Sequence, residues 1–84
     1  MHDLYEAKRI LDLVLEKAKK NKFSKIKKII LGLGKIEEHS EEIKPANLEF
    51  NLKMLARGTL AEGLEIEIKK VKGPFWILKE IIGE

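Results

Sequence analysis

Apolar side chains recur at helical spacing near the start of the chain. Leu4, Ala7, Leu11, Val14, Leu15 and Ala18 share one face, while Glu6, Lys8, Arg9, Asp12, Glu16 and Lys17 occupy much of the other. This predicts an amphipathic helix over residues 3–20, with Asp3 as its N-cap or first-turn acid and Lys17, Lys19 and Lys20 complementing the negative end of its dipole. Asn21 and Ser24 mark the turn that follows. Residues 26–36 are rich in β-branched side chains and too few for a second long helix. Ile29, Leu31 and Leu33 alternate along them, predicting a strand that turns these three toward the first helix. Ile30 and Gly32 fall on the opposite face, which suggests that it is partly covered as well, and Gly34 ends or bends the run.

Residues 37–44 are acidic and read as irregular, with His39 inside them. Pro45 stands where a first-turn proline belongs. Leu48, Leu52 and Leu55, with Phe50 and Met54 alongside, predict a second amphipathic helix that Gly58 stops. After a turn through Gly63, Leu64, Ile66 and Ile68 alternate with Glu65, Glu67 and Lys69, the cleanest strand pattern in the chain. Lys72-Gly73-Pro74 signals a turn. The closing residues 75–82 are apolar with an ambiguous period. They read either as a strand in a hairpin with the preceding one, or as a short helix from Pro74 to Gly83. The strand is favoured, because two strands alone make a marginal sheet. The expected fold is α+β, a single domain over 1–84 with two helices packed on one face of a small mixed β-sheet, in the order α-β-α-β-β.

Composition narrows what such a domain does. Its 84 residues give a thin core that oligomerisation or a partner would help to stabilise. The chain has no cysteine, which excludes disulfides, thiolate zinc sites and thiol catalysis within it. No apolar run approaches membrane-spanning length and the opening lacks the order of a signal peptide, so a cytoplasmic home is expected. Abundant lysine, glutamate and isoleucine without glutamine resemble the proteins of hyperthermophiles. The lysine-rich residues 17–28 read as a solvated helix end and turn rather than a nucleic-acid surface, since the net charge is only +3 and Phe23 alone interleaves with them. Glu37, Glu38, Glu41, Glu42 and His39 read as solvated loop, and Phe75 and Trp76 as packing over a sheet edge. No phosphate loop and no nucleophile with its base and acid is recognisable, so an enzyme is not expected.

Candidate chemistry lies at the opening, Met1-His2-Asp3. A free terminal amine, the amide nitrogen of His2 and its imidazole can close two fused rings on one ion, a nitrogen-rich set suited to Ni(II) or Cu(II). Histidine is too large for the usual removal of initiator methionine, so the Met1 amine is expected to persist. Asp3 adds a nearby carboxylate. Such a chelate leaves coordination positions open, so its ion can be handed on.

These residues carry a resemblance. The opening Met1-His2-Asp3-Leu4, an amphipathic helix, a strand, Pro45 opening a helix, and then Leu55-Ala56-Arg57-Gly58-Thr59-Leu60-Ala61-Glu62-Gly63-Leu64-Glu65-Ile66 resemble the nickel-binding half of the HypA/HybF family, metallochaperones of hydrogenase and, in some bacteria, urease maturation. The resemblance implies nickel held at Met1, His2 and Asp3, where the third position of the family is usually glutamate. It also implies a HypB-like GTPase as exchange partner and the large-subunit precursor of a nickel-iron hydrogenase as recipient. Family members insert a zinc domain with two Cys-x-x-Cys pairs where Lys72-Gly73-Pro74 stands here, so no zinc is expected in this chain. The other reading is a metal-free interaction or scaffold domain on the same fold, with a homodimer through its apolar carboxy-terminal segment among the arrangements it allows.

Overall fold

The computed structural model describes the backbone of residues 2–35, 37–38 and 41–84 and the side chains of 4–35 and 43–84. The first periodic stretch forms helix α1, His2–Lys20, so the helix begins one residue before its expected start. Of its stripe, Ala7, Leu11, Val14 and Ala18 are buried while Leu4 and Leu15 are half-buried, and Ile10, outside the expected set, is buried as well. The far end closes where Asn21 donates both its amide and its side-chain Nδ2 to the Lys17 carbonyl, and Lys22 takes a left-handed φ of 60°.

Strand β1, Ile26–Leu33, turns Ile29, Leu31 and Leu33 into the core. The acidic stretch predicted to be irregular instead contains two short strands, β2, Glu37–Glu38, and β3, Glu41–Glu42, paired antiparallel; His39, between them, lies outside the described residues. Helix α2, Pro45–Leu55, has its proline in the first turn as expected and buries Leu48, Asn51 and Leu52. Phe50 and Met54 do not join that buried face. They stand 67% and 40% exposed on the outward side of the helix, because their spacing from Leu48 and Leu52 carries them around the axis. Strand β4, Glu65–Lys70, and strand β5, Trp76–Gly83, complete the fold; the closing segment is therefore strand and not helix, beginning one residue later than expected.

The three longer strands form one mixed sheet in the order β4-β1-β5. β4 runs parallel to β1, with Ile29 opposite Ile66 and Leu31 opposite Ile68, and β5 runs antiparallel to it, with Ile29 opposite Ile81 and Leu31 opposite Leu78. The two helices contribute to a single core with the inward residues of β1, the architecture expected from the pattern. The hairpin expected between the last two strands does not form. β1 is the most deeply buried strand and takes the centre, where both its edges are hydrogen-bonded, and this sends β4 and β5 to opposite sides of it.

The link between β4 and β5 must therefore cross the end of β1, and Gly34 is where it crosses. The Val71 amide donates to the Leu33 carbonyl, the Gly34 amide to Phe75 and the Lys35 amide to Gly73. A side chain on Gly34 would overlap the Gly73 carbonyl oxygen. Gly32 is tight for a softer reason: a Cβ there would meet the side chains of Val71, Ile77 and Lys79 on the outer face of the sheet. Ile30, also on that face, is half-buried, so the outer face is partly covered as its pattern suggested. Lys28 and Lys69 flank Glu67 on the same face, at 3.1 and 3.5 Å, and their hydrogen bonds and charge, Lys28 first, hold its carboxyl below the ordinary 4.5.

Two outcomes follow. Gly34→Ala should cost about 2–3 kcal/mol by forcing backbone apart, seen as a lower urea midpoint at unchanged slope, whereas Gly32→Ala, which meets side chains and no backbone, should cost less. Because the Glu67 pKa is lowered by folding, its contribution to stability is present at neutral pH and lost as pH falls through the folded value; Lys28→Met should move that carboxyl back toward 4.5 in an NMR titration.

Candidate functional site

The amino-terminal tripeptide opens α1. His2 is the first helical residue, and the amides of a first turn have no carbonyl four residues back to accept their hydrogen bonds. Its backbone nitrogen is thus outside the helical hydrogen-bond ladder. Met1, expected as the amine ligand, and the side chains of His2 and Asp3 lie outside the described residues. Among the described residues no group of three or more histidine, aspartate and glutamate side chains is placed to hold a metal.

One turn further along, the helix is fastened to the sheet. The indole Nε1–H of Trp76 at the start of β5 donates to Glu6 Oε2 at 2.8 Å. Arg9 reaches the other oxygen of Glu6 at 3.4 Å, and its guanidinium stands 5.9 Å from the centre of the exposed Tyr5 ring. A part-buried bond of this kind is worth about 1 kcal/mol or somewhat more, since its acceptor is charged. It gives the first turns of α1 a fixed place over β5. The sequence assigned Trp76 to packing over the sheet edge; it missed the polar partner, because Glu6 and Trp76 lie 70 positions apart.

The segment Gly58 to Gly63 proves to be a structural knot between α2 and β4. The Gly58 amide donates to Glu62 Oε1, Thr59 Oγ1 donates to the Ala56 carbonyl at 2.7 Å, and the Ala61 amide donates back to Thr59 Oγ1. Gly58 and Gly63 both take positive φ, 78° and 76°, which suits glycine, and Ala61 is wholly buried. The knot also fastens β1, whose Ile26 amide donates to the Leu60 carbonyl. Beside it opens a cleft of about 690 Å³ lined by Phe50, Lys53, Met54, Arg57, Glu62, Gly63 and Leu64. Sequence reasoning missed this cleft, having placed Phe50 and Met54 along the apolar face of the helix.

No helix among the described residues is long and apolar enough to cross a membrane. The sequence model of one family, described as hydrogenase/urease nickel incorporation, metallochaperone, HypA, matches residues 1–77. Similar curated proteins include a hydrogenase maturation factor HypA of Legionella pneumophila (strain Lens), 33% identical over an alignment of 76 residues that covers 87% of this chain and 61% of that protein. The HypA of Azotobacter chroococcum is 31% identical, covering 93% of this chain and 66% of its own, and that of Dechloromonas aromatica is 27% identical, covering 94% and 66%. The chain thus spans about three fifths of the length of the first of these relatives. With a family match running through both helices and both edges of the knot, this chain belongs to the HypA family, whose description is that of a nickel-incorporation metallochaperone and not of an enzyme.

Proposed function

We propose that this domain is a cytoplasmic nickel carrier for the maturation of a nickel-iron hydrogenase or a urease, holding Ni(II) at its amino terminus. The observation that carries this reading is the family match over residues 1–77, which begins at the tripeptide whose own chemistry suggested a nitrogen chelate. Met1 supplies the amine, His2 its amide nitrogen and imidazole, and Asp3 a carboxylate nearby. The fold suits this donor set in one respect. The first helical residue spends no hydrogen bond on its amide, so exchanging that proton for a metal breaks no turn of α1.

Two features favour transfer over storage. The positive end of the helix dipole lies against the ion and opposes tight retention, with the Asp3 charge as the local offset. The chelate also leaves positions open to an incoming ligand. A HypB-like GTPase is the exchange partner on this reading, and the large-subunit precursor of the hydrogenase is the recipient. These 84 residues hold no cysteine, so the proposed site draws on nitrogen and carboxylate donors alone.

Trp76 provides a built-in reporter. It is the chain's one tryptophan, and its indole is bonded to Glu6, four residues from His2 and so about 6 Å along the helix axis. Nickel at the amino terminus of untagged protein should quench its emission in step with the heat of binding in calorimetry. His2→Ala, or an extension ahead of Met1, should weaken binding by about a hundredfold or more, as loss of a chelating ligand does. Equal binding by all three forms would sink this site, and binding by none would leave the metal-free scaffold reading. The same chelate should bind Cu(II) more tightly than Ni(II), by the general order of divalent affinities.

A further inference from the structure

Strand β5 is an edge strand whose pattern reads the same from both ends. From Trp76 to Gly83 its residues are half-buried, exposed, half-buried, exposed, exposed, half-buried, exposed and half-buried. Its chemistry is nearly as symmetric: Ile77 mirrors Ile82, Leu78 mirrors Ile81, and at the centre Lys79 stands beside Glu80. Those two central charges are opposite in sign and make no ion pair among the described residues, whereas other strand charges do: Glu67 is paired with Lys28 and Lys69, and Lys27 with Glu84.

We propose that β5 pairs antiparallel with β5 of a second copy of this chain, about a two-fold axis passing between Lys79 and Glu80. In a regular strand such an axis must pass through a residue, which then faces itself, like charge against like. Here the register slips by one between Ile30 opposite Glu80 and Leu31 opposite Leu78, leaving Lys79 as an inserted residue. Lys79 reaches over Gly32 and Glu80 lies opposite Ile30, so both occupy the outer face of the sheet. The bulge thereby lets the axis fall between two residues of one face. Each Lys79 then meets a Glu80 of the other copy, and the interface holds two unlike pairs with no like pair.

The flanks agree with this register. On the outer face Ile77 and Ile82, 41% and 40% exposed, come opposite one another across the axis and cover each other. On the inner face Leu78 and Ile81 line a groove between β5 and the end of α1, together with Lys17, Asn21 and Phe23. Ile81 and Leu78 of the second copy would fill that groove. Pairing joins two three-stranded sheets into one and removes one exposed edge from each copy. The occupant is another copy rather than an unrelated strand, because the charges at the centre complement each other only when the sequence is read against itself.

The test uses the full chain. Sedimentation equilibrium over a concentration series should show a monomer–dimer equilibrium. Lys79→Glu and Glu80→Lys should each weaken it by about tenfold or more, since each sets four like charges around the axis, and the double exchange Lys79→Glu with Glu80→Lys should restore it. Since the chain has no cysteine, placement can be read directly. A short bis-maleimide should join chains when Ile77→Cys and Ile82→Cys proteins are mixed, but not within either protein alone, where the two thiols of a dimer stand roughly 15 Å apart. A chain that stays monomeric, a dimer indifferent to the charge changes, or cross-linking that ignores the pairing of 77 with 82 would each overturn the proposal.

Discussion

The double pairing of β1 is the constraint on which the rest of the fold depends. Because β1 gives hydrogen bonds along both edges, β4 must arrive parallel on one side and β5 antiparallel on the other. A parallel neighbour demands a crossover, which here carries α2 and the Gly58–Gly63 knot. An antiparallel neighbour on the far side demands that the chain pass over the end of β1. Only a residue without a side chain permits that passage so close to the strand, and Gly34 is that residue. The two helices then close over Ile29, Leu31 and Leu33 from one side, fixing where every inward residue of α1 and α2 must point.

Legibility in the sequence followed how local each decision was. The face of α1, the inward set Ile29, Leu31 and Leu33, and the alternation beside Glu65 and Glu67 are settled by neighbours a few residues away, so their periods survive into the structure. Residues 75–82 were ambiguous for a physical reason. The bulge at Lys79 places two consecutive residues on one face, which breaks the period of two, and Ile77 and Ile82 add apolar positions that do not belong to the core. The pairing of β5 with β1 was not legible at all. It is a contact between distant parts of the chain, and the short turn at Lys72-Gly73-Pro74 serves a crossing as readily as a hairpin.

The candidate site divides in the same way. Its proposed donors, Met1, His2 and Asp3, were legible as a candidate chelate because they are consecutive, and chelation by adjacent donors needs no tertiary contact. The support behind it was not. Glu6 meets Trp76 only because β5 runs beneath the first turns of α1, which itself follows from the topology of the sheet. The motif from Gly58 to Gly63 was recognised for the right family and serves a structural end: its hydroxyl, carboxylate and two positive-φ glycines turn the chain from helix to strand.

That separation between donors and support bears on how a carrier can work. A site enclosed by several elements would bind its ion by ordering them all, and release would require them to part together. Donors that belong to one chain end need only that end to move, while Trp76, Glu6 and Arg9 keep the following turn in place. The cost of ordering is then confined to a residue or two, at about 1–2 kcal/mol each for backbone alone. On that proposal the fold behind the site need not change when an ion binds. Retention is governed by the chelate and exchange by the approach of a competing ligand, so a small rigid domain can present a metal without having to open.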